Sequence, residues 1–144
     1  MQSASVRGVL GFVAAAISVL TFHQGMWGLL YLLGPMGRPP YPTNPIPPFG
    51  VPFIVDLCFW GGVYGIVFGL LRPRFTWPLW LSGLILGIIA SLVGLFIIAP
   101  IKGMPIAGGW HLMPFVLNFL INGSWGIGVG LILPLLSPRR TRTA

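Results

Sequence analysis

Acidic residues are all but missing from this chain: Asp56 is the one carboxylate side chain among 144 residues, against eight Lys and Arg. Charge of either sign is scarce, at 6%, where a soluble domain carries about 25%. With 56% hydrophobic residues and a mean hydropathy of +0.93, that shortage excludes a water-soluble globular protein. Cysteine is scarce as well. Cys58 alone closes no internal disulfide and seeds no cysteine metal cluster; inside an apolar run it reads as a small buried side chain. Two His, one Asp and one Cys are too few ligands for a metal centre. No metal and no cofactor is expected.

The formal charge of +7 resembles a nucleic-acid signal only until the basic residues are located. Arg7, Arg72, Arg74, Arg139, Arg140 and Arg142 all flank apolar segments, which is where the positive-inside rule places them. No basic patch is interleaved with surface aromatics, so no nucleic-acid partner is expected. The expected partners are the lipid bilayer and either other membrane subunits or further copies of the chain.

Long apolar runs are what the chain has in quantity. Four of them, about residues 8–33, 52–71, 77–99 and 110–136, are each long enough to cross a bilayer. The first stays apolar past Ala14-Ala15-Ala16 and on to Leu33, which fits a retained helix better than a cleaved signal peptide. The expected fold is therefore an all-α integral membrane protein with four transmembrane helices in a single transmembrane domain. Residues 35–51 form the first connection. With Pro52 they hold eight prolines, which forbid a helix and favour stiff extended backbone. That stretch reads as a rigid connector, with a docking surface built on Tyr41, Ile46 and Phe49, or a lid, as the sharper alternatives. Six Arg lie on the amino tail, the 72–74 turn and the carboxyl tail, against only Arg38 and Lys102 on the other two loops. Both termini are thus expected in the cytoplasm, and the location expected is a bacterial inner membrane.

The second and fourth segments resemble one another. Aligning Pro52 with Pro114 places Phe53 on Phe115, Asp56 on Asn118 and Gly61 on Gly123; after one residue of slippage Tyr64-Gly65-Ile66 falls on Trp125-Gly126-Ile127. Two tandem helical hairpins, a parallel pseudo-repeat about an axis along the membrane normal, would produce this pattern.

Ionisable and amide groups within membrane helices are costly and so mark functional candidates. At about 1.5 Å of rise per residue, His23 lies about 3 Å to the outer side of its helix centre, Asp56 and Asn118 about 7 Å, and Asn122 near the centre. His111 lies about 17 Å out. His23, Gln24, Asp56, Asn118 and Asn122 then form a polar layer, with His111, Asn118 and Asn122 along one helix face. Asp56 is expected to be protonated or paired, with His23 the nearest candidate. The plainer reading of the layer is hydrogen bonding that holds helices together. Glycines 61, 65 and 69, and 83 and 87, recur at four-residue spacing, and Gly123 matches Gly61; such spacing allows helices to approach closely. Asp56 lies about 180° around its helix from Gly65. Both faces prefer protein contact, which argues for packing against another chain.

Catalysis finds little support. Asn122-Gly123-Ser124-Trp125-Gly126 lacks the first glycine of a nucleophile elbow, and no base accompanies Ser124. The two histidines differ by about 14 Å in depth, too far for one haem between them. The expectation is a non-enzymatic protein that acts by helix packing, as an accessory, assembly or scaffold subunit or a homo-oligomer. A small transporter or channel for protons, ions or a polar solute, built around Asp56, is the alternative. A lipid- or quinone-binding protein using the aromatics of the outer half is the third.

Overall fold

Four helices, each long and apolar enough to cross a membrane, make up most of the chain: α1 (Ala4–Leu32), α2 (Phe53–Leu71), α3 (Leu79–Ile101) and α4 (Leu112–Leu136). They come from a computed structural model that describes residues 2–137. Arg139, Arg140 and Arg142 of the orientation count lie outside the described residues.

The helix ends follow from local chemistry. α1 begins at Ala4, earlier than the polar amino tail implies, because the Ser3 hydroxyl caps it by accepting from the Val6 N–H at 3.2 Å. α4 begins at Leu112 rather than 110, because Ala107, Gly108, Gly109 and Trp110 all take positive φ and cannot belong to a right-handed helix. α3 begins at Leu79, directly behind Pro78, and continues through Pro100 to Ile101. A widened π turn at Gly94–Ile98 precedes that proline, so the hydrogen-bond ladder Pro100 would break is already re-registered there. α1 contains a matching wide turn at Val19–His23.

The proline-rich connection is more folded than an extended spacer. Two-residue strands β1 (Pro45–Ile46) and β2 (Val51–Pro52) pair antiparallel, with Ile46 opposite Val51. The preceding residues cap α2: the Phe53 N–H donates to the Asn44 carbonyl at 3.1 Å and the Ile54 N–H to the Pro42 carbonyl at 2.9 Å. A helix that starts after proline has no side-chain cap, and here backbone carbonyls supply partners for its first donors.

α1 packs antiparallel on α2, α3 on α4, and α1 on α4, whereas α2 and α3 meet only at their margins. The core lies along the α1–α4 contact and holds Ala14, Ala15, Val19, Phe68, Trp125, Val129 and Leu133. Hydropathy runs opposite to burial: α3 is the most apolar span and the least buried, and α4 is the least apolar and the most buried. That inversion is what a lipid solvent demands, since apolar side chains are needed outward and close-packing or polar ones inward.

Candidate functional site

α1 is the element to which most of the polar side chains of the bundle attach. Its carbonyls between Ala15 and Phe22 accept from five side chains. Trp125 Nε1 donates to Ala15 at 3.1 Å, Thr21 Oγ1 to Ile17 at 2.8 Å and Tyr41 Oη to Leu20 at 2.7 Å. Ser124 Oγ donates to Phe22 at 3.3 Å, and the Cys58 thiol to Ala16 at 3.9 Å. In return the Ser18 hydroxyl donates to the Trp125 carbonyl at 2.7 Å. An α-helix carbonyl usually serves only its own ladder, and a wide turn such as Val19–His23 turns carbonyls outward. That is where the loop and α4 bind.

His23 and Gln24 sit at the end of this wide turn and are both buried. The Tyr41 N–H donates to Gln24 Oε1 at 2.5 Å, and Gln24 Nε2 lies 3.1 Å from His23 Nδ1. A backbone N–H only donates, so Gln24 must present its oxygen to Tyr41 and its NH2 to the imidazole; His23 Nδ1 therefore accepts and the ring proton sits on Nε2. Trp27 Nε1 donates to the Arg38 carbonyl at 2.8 Å, so residues 38–44 are fastened along α1 before they reach α2.

Asn118 and Asn122 form a second cluster, against α3. Asn122 Nδ2 donates to the Asn118 carbonyl at 3.1 Å and to its Oδ1 at 3.2 Å, and the buried Ser91 of α3 donates to the same carbonyl at 3.4 Å. No hydrogen bond joins this cluster to the His23–Gln24–Tyr41 cluster among the described residues. The polar layer read from depth therefore divides in two, because depth carries no information about which way a helix faces. His111 leaves the stripe as well. It is exposed and extended, ahead of the first turn of α4, since the left-handed residues before it delay the helix.

Asp56 lies in the first turn of α2, half-buried, and makes no ion pair with His23. Its place explains how a lone carboxylate is tolerated: it stands at the loop end of the helix, where the macrodipole favours negative charge. The α2 stripe it shares continues through Trp60 and Val67, both exposed.

The helix-packing glycines are used inside the chain. A Cβ on Gly65 or Gly11 would collide with the other's carbonyl oxygen, and one on Gly69 would strike the Arg7 carbonyl. Gly83 and Gly126 oppose one another in the same reciprocal way, and Gly87 abuts the Asn122 carbonyl. Gly61 lies under Val19 and beside Trp125, while Gly123 has only an ordinary contact with Leu84. The glycine faces thus do not call for a second chain, because α1 and α4 already occupy them.

Sequence reasoning missed Ser18, Ser91, Trp125 and the polar role of Tyr41. Small hydroxyls in apolar runs give no periodic signal, and Trp125 reads as a packing residue until its N–H finds a carbonyl. A shallow open groove of about 350 Å³ lies beside the wide turn of α1, lined by Thr21, Phe22, Gly25, Met26 and Ser124. None of the candidate polar residues lines it. Among the described residues no group of three His, Cys, Asp or Glu is placed to hold a metal ion. Compared with known proteins, the chain matches no protein-family model, no curated protein and no solved structure.

Proposed function

We propose that this chain is a non-catalytic protein of a bacterial inner membrane that acts through helix packing, as an accessory, assembly or scaffold subunit of a larger complex or as a homo-oligomer. The observation that carries this reading is the fate of the polar side chains. The side chains of Gln24, Tyr41, Ser18, Trp125 and Ser91 bond between helices, or between helix and loop, and those of Asn118 and Asn122 bond each other within α4. A bundle fastened in this way is a rigid platform. Extraction from its own membrane in mild detergent, followed by native mass spectrometry, tests the reading: a defined partner or a fixed copy number supports it, and a bare monomer counts against it.

The architecture proposed with it is two tandem hairpins with both termini cytoplasmic. The reciprocal contacts of Gly11 with Gly65 and of Gly83 with Gly126 support the repeat, in the register that pairs Tyr64-Gly65-Ile66 with Trp125-Gly126-Ile127. Tyr64 and Trp125, equivalent in that register, meet edge to face at 6.1 Å. The two-fold relation is imperfect, since α1 grips α4 while α2 barely touches α3.

Asp56 favours the second reading, a small transporter or channel, because its carboxylate has no hydrogen-bond partner among the described residues. In proteoliposomes, ion or proton flux that falls in Asp56→Asn would move the assignment there; flux unchanged by that substitution removes it.

A further inference from the structure

We propose that a groove between α1 and α2, at the arginine-bearing end of the bundle, seats an acyl chain of an anionic phospholipid whose phosphate lies against the Arg72–Arg74 turn. The groove is open to the surrounding solvent or lipid, measures about 590 Å³, and runs between Gly8, Val9 and Phe12 of α1 and Ile66 and Leu70 of α2. Its floor is open because residue 8 has no side chain: a Cβ there would reach only ordinary contact, 3.5 Å from Ile66. Hydrocarbon walls exclude a polar solute and accept an alkyl chain. The mouth is chemically different. Leu70 leads directly into Arg72, Pro73 and Arg74, and Ala4 and Ser5 line the same end from the first turn of α1.

Charge decides which headgroup fits. Arg72 donates to the Ser137 hydroxyl and ties the ends of α2 and α4 together. Arg74 is exposed, with no hydrogen-bond partner among the described residues. Arg7, next to Gly8 on α1, donates through Nη1 to the Gln2 carbonyl at 2.7 Å and its Nε is buried, so Arg74 is the arginine left to meet a headgroup. The chain's sole acid, Asp56, lies about 24 Å away along α2. A basic mouth above an apolar slot between membrane helices is the arrangement that recognises anionic lipid headgroups. This inference does not depend on the packing role proposed above.

Native mass spectrometry of the full chain, titrated with phosphatidylglycerol or with phosphatidylcholine of the same acyl chains, tests it. The expected result is one saturable phosphatidylglycerol adduct, formed at several-fold lower lipid concentration than the phosphatidylcholine adduct. Arg74→Gln should weaken it by about fivefold, the worth of one arginine near a lipid surface. Gly8→Leu should abolish it by filling the slot, and Val9→Trp, at an exposed rim position, provides a second block should the first disturb packing. Inorganic phosphate should not compete, having no chain to bury. Equal retention of both lipids overturns the proposal, as does displacement by phosphate or an adduct indifferent to both slot variants. A change in subunit number with lipid retention intact would mean that the slot takes a helix instead, which also overturns it.

Discussion

Tyr41 holds a left-handed backbone, φ +58, that costs a residue with a side chain of the order of 1–3 kcal/mol. Its amide and its hydroxyl both bind α1, and these two bonds offset that cost. Tyr41→Phe removes one bond of about 1 kcal/mol, so exchange of the residue-41 amide, held by Gln24, should quicken by about fivefold. Gln24→Leu should do more, because it strips the acceptor from the part-buried Tyr41 N–H and places an apolar side chain against that donor. If hydrogen exchange ranks the two variants the other way, the loop is held by Trp27 and the α2 cap instead. Trp125 plays the equivalent part within the bundle. Trp125→Phe keeps an aromatic ring but loses the bond to Ala15, about 0.6 kcal/mol in a membrane interior, and leaves space where the larger indole packed, about 1 kcal/mol more, whereas Trp125→Ala opens the core and should cost about 3–5 kcal/mol. Reversible unfolding in mixed micelles distinguishes these two.

Among elements, the decisive contacts are the two seams where helix backbones touch. At Gly65 and at Gly126 the opposing carbonyl leaves no room for a methyl group, so Gly65→Ala must push α1 and α2 apart. The expected loss is about 1–3 kcal/mol. Gly25 is the internal control: nothing lies within 4 Å of a Cβ built there, and Gly25→Ala should be neutral or stabilising by up to about 1 kcal/mol. Equal melting temperatures for the two variants would mean that the seam yields without cost. The spacing of these glycines was legible in the sequence, but their partners were not. A four-residue repeat reports that a helix face is smooth, and nothing in it names the surface that comes to lie against it.

For the molecule as a whole, the arginine count predicts which end meets the cytoplasm. In a Cys58→Ser background, an impermeant thiol reagent applied outside spheroplasts should label Thr43→Cys, on the proline-rich connection, and spare Thr76→Cys, on the opposite turn. Both positions are exposed, so the reverse labelling would invert the proposed topology. Asp56 is also best understood at this scale. It occupies the first turn of α2, on the stripe that carries exposed Trp60, and makes no ion pair with His23. A carboxylate in the first turn of a helix is favoured by the macrodipole without a counter-ion, and the flux measured for Asp56→Asn separates that role from an intramembrane proton site.

The number of spans was legible from run length, because an apolar run longer than a bilayer is thick has one stable solution in lipid, a hydrogen-bonded helix. The sequence also determined that proline would shape the first connection, since the ring constrains φ wherever it stands. Tertiary structure alone decided where Ser3, the wide turns and the left-handed Ala107–Trp110 segment set the helix limits. It alone decided that Gln24 serves the loop, that Asn118 and Asn122 bond each other while their carbonyls meet α3, and that the glycines serve α1 and α4. Run length and composition are properties of one segment, whereas the direction a helix faces is set by the surfaces of its neighbours, and these meet only once the chain has folded.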